Sequence, residues 1–283
     1  MFSSDAILGS IAAGAIGDAL GGLLERRELC LSDDTQLTLA TCEAPAETGT
    51  ATPAGVAAAL ARWFRARRVT GIGSSTLKAL RDLDAGAHWA LAGARGEMAA
   101  GNGAAMRIAP LAFVVDPSLA EHRTTVRDIC RITHHSDEAY IGALAVIIAI
   151  HLEPGDDSRC LAAIAEPLPD SRVRDALMVA AGLPPDEPIA DIASRLGASG
   201  YVVETVPLAL LLASRMTREN FEACLRCAAE VPGDMDTICS IAGQVAGSRF
   251  GLTGLPPALL ALEPVTYAVS MARPFANAVG GAA

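Results

Sequence analysis

Two short acidic clusters stand near opposite ends of the chain. One is Ser32-Asp33-Asp34-Thr35; the other is Asp234-Met235-Asp236-Thr237, which follows Pro232-Gly233. Each couples two carboxylates to a hydroxyl within four positions, so each offers hard oxygen donors from a single turn. Acidic and hydroxyl side chains are also ordinary at a helix N-terminus, where free N–H groups and the helix dipole favour negative charge. Two readings therefore stand side by side: two unrelated capped helices, or two helix starts that face one another across a shared cation site. In the second, Asp33, Asp34, Asp234 and Asp236 crowd four carboxylates together, and like charges at close range raise one another's pKa. Two divalent ions about 3.5–4 Å apart, with Ser32 and Thr237 oxygens completing their shells, would neutralise them. All-oxygen ligation selects Mg2+ or Mn2+ over zinc.

Helices must carry these groups. Ser4 to Leu24 reads as one helix capped by Ser4, with Gly9, Ala13, Gly14 and Gly17 as a small-residue face for tight packing. Asp18 lies inside that apolar run, where a lone carboxylate must find a partner or face a polar site. Glu25 marks the exit, and the link Arg26 to Leu31 delivers the first cluster to a helix over Thr35 to Cys42, followed by a loop from Glu43 to Pro53. The second cluster opens an apolar, small-residue helix that runs to Gly251. Between them the pattern predicts helices over 54–67, 76–84, 121–132, 157–165, 171–181, 189–196, 201–215 and 218–229, with one more in the proline-rich tail after Gly254. Gly101-Asn102-Gly103 is either a plain turn or a set of exposed N–H groups suited to an anion. Thr133 is expected to cap the next helix, with His134 and His135 in its first turn; their spacing is wrong for i, i+4 zinc ligation.

With 283 residues, 51% hydrophobic and 19% charged, the chain has material for a large core. Aromatics are few, at 4%, and small residues abound, which predicts closely packed helices with little strand. No repeat or linker divides the sequence, so residues 1–283 read as one domain. A net charge of −10 argues against a nucleic-acid backbone as partner, and the basic stretch Arg62 to Arg68 reads as a solvated helix side. Seven scattered cysteines, with Cys224 and Cys227 as the one CxxC, read as reduced thiols. No apolar run is long enough to span a membrane, and the apolar start lacks a basic leader, so a cytoplasmic protein is expected.

The segments GAIGDALGGLLE, SDDTQLTL, GNGAAMRIAP, THHSDEAYIGALA, SGYVVETVPLAL and GDMDTICSIAGQVAGSRFG together resemble, in order and over almost the whole chain, the ADP-ribosylglycohydrolase family. That family includes the dinitrogenase-reductase-activating glycohydrolases. The resemblance implies an all-α, single-domain orthogonal multi-helix bundle with a binuclear magnesium or manganese cleft. It implies Ser32, Asp33, Asp34, Asp234, Asp236 and Thr237 as metal ligands, and Gly101, Asn102, Gly103, Met106 and His134 as contacts to ADP-ribose. Asp34 and Glu25 become the catalytic candidates. The implied reaction is metal-dependent cleavage of the glycosidic bond of an ADP-ribosyl group, on a protein side chain or a small conjugate, releasing ADP-ribose.

Departures from the family pattern keep a second function in view. Ser32 stands for the usual threonine, Ala104 for a serine, and the segment between Glu25 and Ser32 is short. Gly71 takes the place where arginine-specific members carry aspartate. The alternative is a binding or structural descendant, crystallin-like, without turnover.

Overall fold

The computed structural model describes residues 2–96, 99–152 and 157–281. Among these the protein is all-α, its two strands being two-residue segments, Ala94–Arg95 and His134–His135, paired in parallel. None of the described helices is long and apolar enough to cross a membrane.

Two helices form the axis. Ser4–Gly21 is buried from Ile7 to its end, and Met235–Phe250 is buried over most of its length. A helix apolar on all sides belongs at the centre of a bundle. The two run antiparallel with backbones almost touching: a Cβ on Gly9 would lie 2.5 Å from the Gly247 carbonyl oxygen, and one on Gly17 2.1 Å from that of Cys239. Gly243 and Gly247 are equally tight against Ala13 and Gly9 from the other side. The antiparallel fit sets the end of the first helix, with Asp18 and Gly21, against the start of the second, with Asp236.

Asp33–Thr48 lies against this pair and is held in turn by Glu263–Val279. It extends beyond the expected end at Cys42. Pro45 forfeits only its own N–H bond, the helix continues, and Gly49 in the left-handed conformation (φ 73°) stops it. Other boundaries move too. Ser3, not Ser4, caps the first helix, accepting from the Ala6 N–H at 3.1 Å, while the Ser4 hydroxyl donates to the Ala276 carbonyl. Ser136, not Thr133, caps the helix Asp137–His151, so His134 and His135 are extended chain rather than a first turn. Glycine and alanine between Gly86 and Gly96 include a short helix, Trp89–Ala92, and the tail after Gly254 folds into two, Pro257–Leu260 and Glu263–Val279. Arg62 does face solvent and pairs with Glu43, whereas the Arg68 guanidinium stacks 3.6 Å over the Trp63 ring. All seven cysteines are free; Cys42, Cys130 and Cys239 are buried and Cys227 is exposed.

Candidate metal centre

The two acidic clusters meet. The Thr237 hydroxyl stands 3.2 Å from Asp34 Oδ2 and 3.2 Å from Asp234 Oδ1, tying the start of one helix to the start of the other. Ser32 caps its helix and donates its hydroxyl to Asp34 Oδ2 at 2.9 Å, which leaves Oδ1 of the same carboxylate buried without a partner. Asp18, Asp34 and Asp236 each bring a carboxylate oxygen within 4.8 Å of the others. Among the described residues this is the group able to close on a cation.

Asp18 is the member that holds the frame. Fully buried, it accepts from the Ser32 N–H at 2.9 Å and from the Thr35 hydroxyl at 2.7 Å, which pins the loop leading into the Asp33 helix. Sequence reasoning marked it as a carboxylate in need of a partner; the partners are the first cluster itself. Arg26 is the residue that reasoning missed. Its guanidinium reaches Asp18 Oδ1 at 3.0 Å and Asp236 Oδ2 at 3.1 Å, so one cation of the protein's own already sits at this corner. Nothing in the sequence distinguishes it from the linker charges around it.

Burial and mutual repulsion act together on the carboxylates. Burial, then the charge of Asp18, pushes Asp33 up to about 7. Asp34 is driven well above the usual carboxylate range by burial and by all four neighbouring aspartates. Burial raises Asp234 to about 6, against the opposing hydrogen bond from Asn102. Asp18 also rises through burial, with Arg26 and the Thr35 and Ser32 bonds pulling the other way. A set of crowded carboxylates, one with an orphaned oxygen, fits a hard divalent cation.

These groups floor a cleft of about 430 Å3. Asp33, Asp34, Asp234, Asp236 and Thr237 form one side; Gly101, Asn102, Gly103, Met106 and His134 form the other, with Glu25 exposed at the rim. Ser32 stands behind Asp34 rather than on the surface of the cleft. Asn102 links the sides, donating from Nδ2 to Asp234 Oδ2 at 2.6 Å and to the Thr205 hydroxyl at 3.0 Å. Its backbone N–H donates to the Gly200 carbonyl, so within the glycine turn that donor is spent on the protein. Gly71 lies in the cleft wall, its φ of 75° in the region glycine adopts freely, and a Cβ there would be 3.8 Å from Asp33 Oδ1. The start of the helix Ser74–Asp84, which lacks a side-chain cap, opens into the same space. A larger hollow of about 710 Å3 around Phe2, Phe113 and His151 holds one carboxylate, Asp116, which is engaged by Ser118.

Comparison with known proteins places this arrangement. The family model described as ADP-ribosylglycohydrolase matches residues 2–280. The chain is 30% identical over 222 residues to an uncharacterized protein of Archaeoglobus fulgidus, covering 77% of this chain and 71% of that one. It is 31% identical to an ADP-ribosylarginine hydrolase of Pseudomonas putida, over 80% of this chain but 60% of that protein's length. It is 27% identical to the ADP-ribosyl-(dinitrogen reductase) glycohydrolase of Rhodospirillum rubrum, over 83% and 74%. A solved ADP-ribosylglycohydrolase-related protein complex superposes with a TM-score of 0.74 at 25% identity, covering 98% of both chains.

Proposed function

This chain belongs to the ADP-ribosylglycohydrolase family, and we propose that it hydrolyses the glycosidic bond of an ADP-ribosyl group, on a protein side chain or a small conjugate, in a metal-dependent reaction. The observation that carries the reading is the orphaned, buried Asp34 Oδ1 at the meeting of the two acidic helix starts. Ionised, Asp18, Asp33, Asp34, Asp234 and Asp236 carry five negative charges, and Arg26 offsets one. The remaining four equal the charge of two divalent ions, which supports Mg2+ or Mn2+ in pairs over a single ion.

Asp33, Asp34, Asp234, Asp236 and Thr237 would hold the ions, with Ser32 fixing Asp34 from behind. Bound there, the ions supply Lewis acidity toward ribose hydroxyls and lower the pKa of nearby water. The protein's own groups do the rest. Asp34, with Oδ1 buried and free of any hydrogen-bond partner among the described residues, would be the group to take a proton from the attacking water. Glu25, exposed where it lines the cleft, would meet the leaving group or cover the bound sugar. Gly101, Asn102, Gly103, Met106 and His134 form the wall against which the rest of ADP-ribose would lie. Gly71 removes the aspartate common in arginine-specific members, which shifts the proposal toward linkages other than ADP-ribosylarginine.

The test is a hydrolysis panel over arginine-, serine- and acetyl-linked ADP-ribose, with Mn2+ or Mg2+ omitted and restored, beside calorimetry with ADP-ribose. Metal-dependent release of ADP-ribose from one linkage is the expected result. Tight ADP-ribose binding with every linkage left intact would instead establish a non-catalytic descendant.

A further inference from the structure

The wall opposite the carboxylates contains a relay that ends at His134. The His134 ring occupies the space vacated by two glycines: a Cβ on Gly103 would come within 2.7 Å of its Cε1, and one on Gly101 within 3.3 Å of its Nε2. Its Nδ1 lies 2.9 Å from the Thr133 hydroxyl oxygen. That oxygen accepts from Arg107 Nη2 at 3.1 Å, and Arg107, fully buried, is itself fixed by donating to the Ile129 carbonyl at 3.1 Å.

Proton bookkeeping then leaves one arrangement. A guanidinium can only donate, so Thr133 must accept from Arg107 and has a single proton to give. Two acceptors are near it. The Cys130 carbonyl is 3.5 Å away and already takes the Thr133 N–H, whereas His134 Nδ1 is at a normal hydrogen-bond length. The hydroxyl proton therefore points at Nδ1, and the ring proton must sit on Nε2. Burial and the Arg107 charge push the imidazolium pKa down to about 3, so the ring stays neutral. Nε2 has no protein acceptor among the described residues and borders the cleft.

We propose that Thr133, anchored by Arg107, is a positioning residue that locks His134 as the Nε2–H tautomer, making it an uncharged hydrogen-bond donor to an oxygen of the bound ligand. Its reference to ADP-ribose rests on the functional reading above; the tautomer does not. A histidine free to take either tautomer, or to charge, would accept or repel as readily as donate, whereas a locked donor selects oxygen acceptors such as ribose hydroxyls and phosphates.

The experiment is long-range nitrogen–proton NMR of imidazole-labelled protein, read first without ligand. Wild type and Thr133→Ser should both show His134 protonated at Nε2 and bare at Nδ1, unchanged from pH 8 to pH 5. Thr133→Val should show a mixture of tautomers and bind ADP-ribose roughly tenfold more weakly, the loss of about one hydrogen bond. Ribose 5-phosphate and inorganic diphosphate, titrated separately, should identify which oxygen moves the Nε2 signal. A wild-type spectrum with the proton on Nδ1 would overturn the assignment even if Thr133→Val fails to fold. A correct tautomer that neither compound nor ADP-ribose perturbs would overturn the ligand role and leave the hydrolase question to the substrate panel.

Discussion

On one side of the cleft stand Asp33, Asp34, Asp234 and Asp236, backed by the buried Asp18 and a single arginine; on the other stand Gly101, Gly103, Asn102 and His134, backed by the buried Thr133, with no carboxylate. The first side is unbalanced. Its carboxylates are buried or half-buried, repel one another and leave an oxygen orphaned, so the fold holds them together at a cost that protonation or an added cation would relieve. The second side is close to balanced by the protein alone: Asn102 Nδ2 has two acceptors and Thr133 both accepts and donates. On the proposed reading, ions would complete one wall and the other would meet the polar surface of the ligand. Substitutions should therefore have opposite signatures on the two walls.

The largest separation is expected at Asp34. Asp34→Asn should abolish Mn2+ binding and ADP-ribose release while raising the melting temperature of the metal-free protein at neutral pH, because the buried carboxyl must there either hold its charge among four like charges or take up a proton that it does not bind when unfolded. A lower melting temperature without metal would mean that the carboxylates stabilise the fold unaided, and the contrast between the walls would collapse.

Gly103→Ala probes the other wall. The new methyl would meet His134 Cε1 at 2.7 Å and the Thr76 hydroxyl at 3.0 Å, both parts of packed, short side chains. ADP-ribose affinity should fall on the order of tenfold or more while Mn2+ affinity is retained, since overpacking forces side chains from their places at about 1–3 kcal/mol. Calorimetry with each ligand in turn separates the two. Equal loss of both would show the walls to be one mechanical unit.

Acid–base behaviour sharpens the same contrast. Asp33 titrates at about 7 in the fold against an ordinary 3.8, so the folded state prefers the protonated carboxyl. The stability this contributes is complete below pH 3.8 and is lost as pH rises through 7; Asp234, at about 6, acts in the same sense. Chemical denaturation of the metal-free protein should therefore show stability falling from pH 5 to pH 8, and saturating Mn2+ should flatten or reverse the slope. His134, at about 3 against an ordinary 6.5, acts in the opposite sense below pH 6.5, where the unfolded chain takes up a proton that the buried ring refuses, but the raised carboxyls outnumber it.

The helical class, the two acidic clusters and the glycine turn were legible from residue types and spacing, because each is a local signal. What joined them was not. Asp18 could be marked as a carboxylate needing a partner, but its place beside Asp236 depends on two helices sliding together on glycines far apart in sequence. The helix end after Thr48 was hidden by Pro45, which reads as a breaker although a late proline in a helix costs only one bond there. His134 looked like a first-turn residue because Thr133 resembles a cap, while Ser136 with two acids after it made the better one. Arg26 gave no local sign at all, since a linker arginine acquires meaning only when tertiary packing sets two carboxylates beside it.

Arg26 therefore provides the smallest and most discriminating test. Its guanidinium holds Asp236 Oδ2 and Asp18 Oδ1, and the other Asp236 oxygen takes the Thr237 N–H at 2.9 Å. For Asp236 to ligate an ion it must surrender or share one of those bonds, and the partly exposed pair with Arg26, at 19% and 21% side-chain exposure, is the tie that water can replace. Arg26→Ala should raise Mn2+ affinity about fivefold, in line with the ~1 kcal/mol that a partly exposed ion pair contributes, and should lower the stability of the metal-free protein. Calorimetry and metal-free denaturation read the two effects independently of turnover. Weaker Mn2+ binding in this variant would mean that Arg26 aligns Asp236 for the ion rather than competing with it, and the corner would then be counted as complete before any metal arrives.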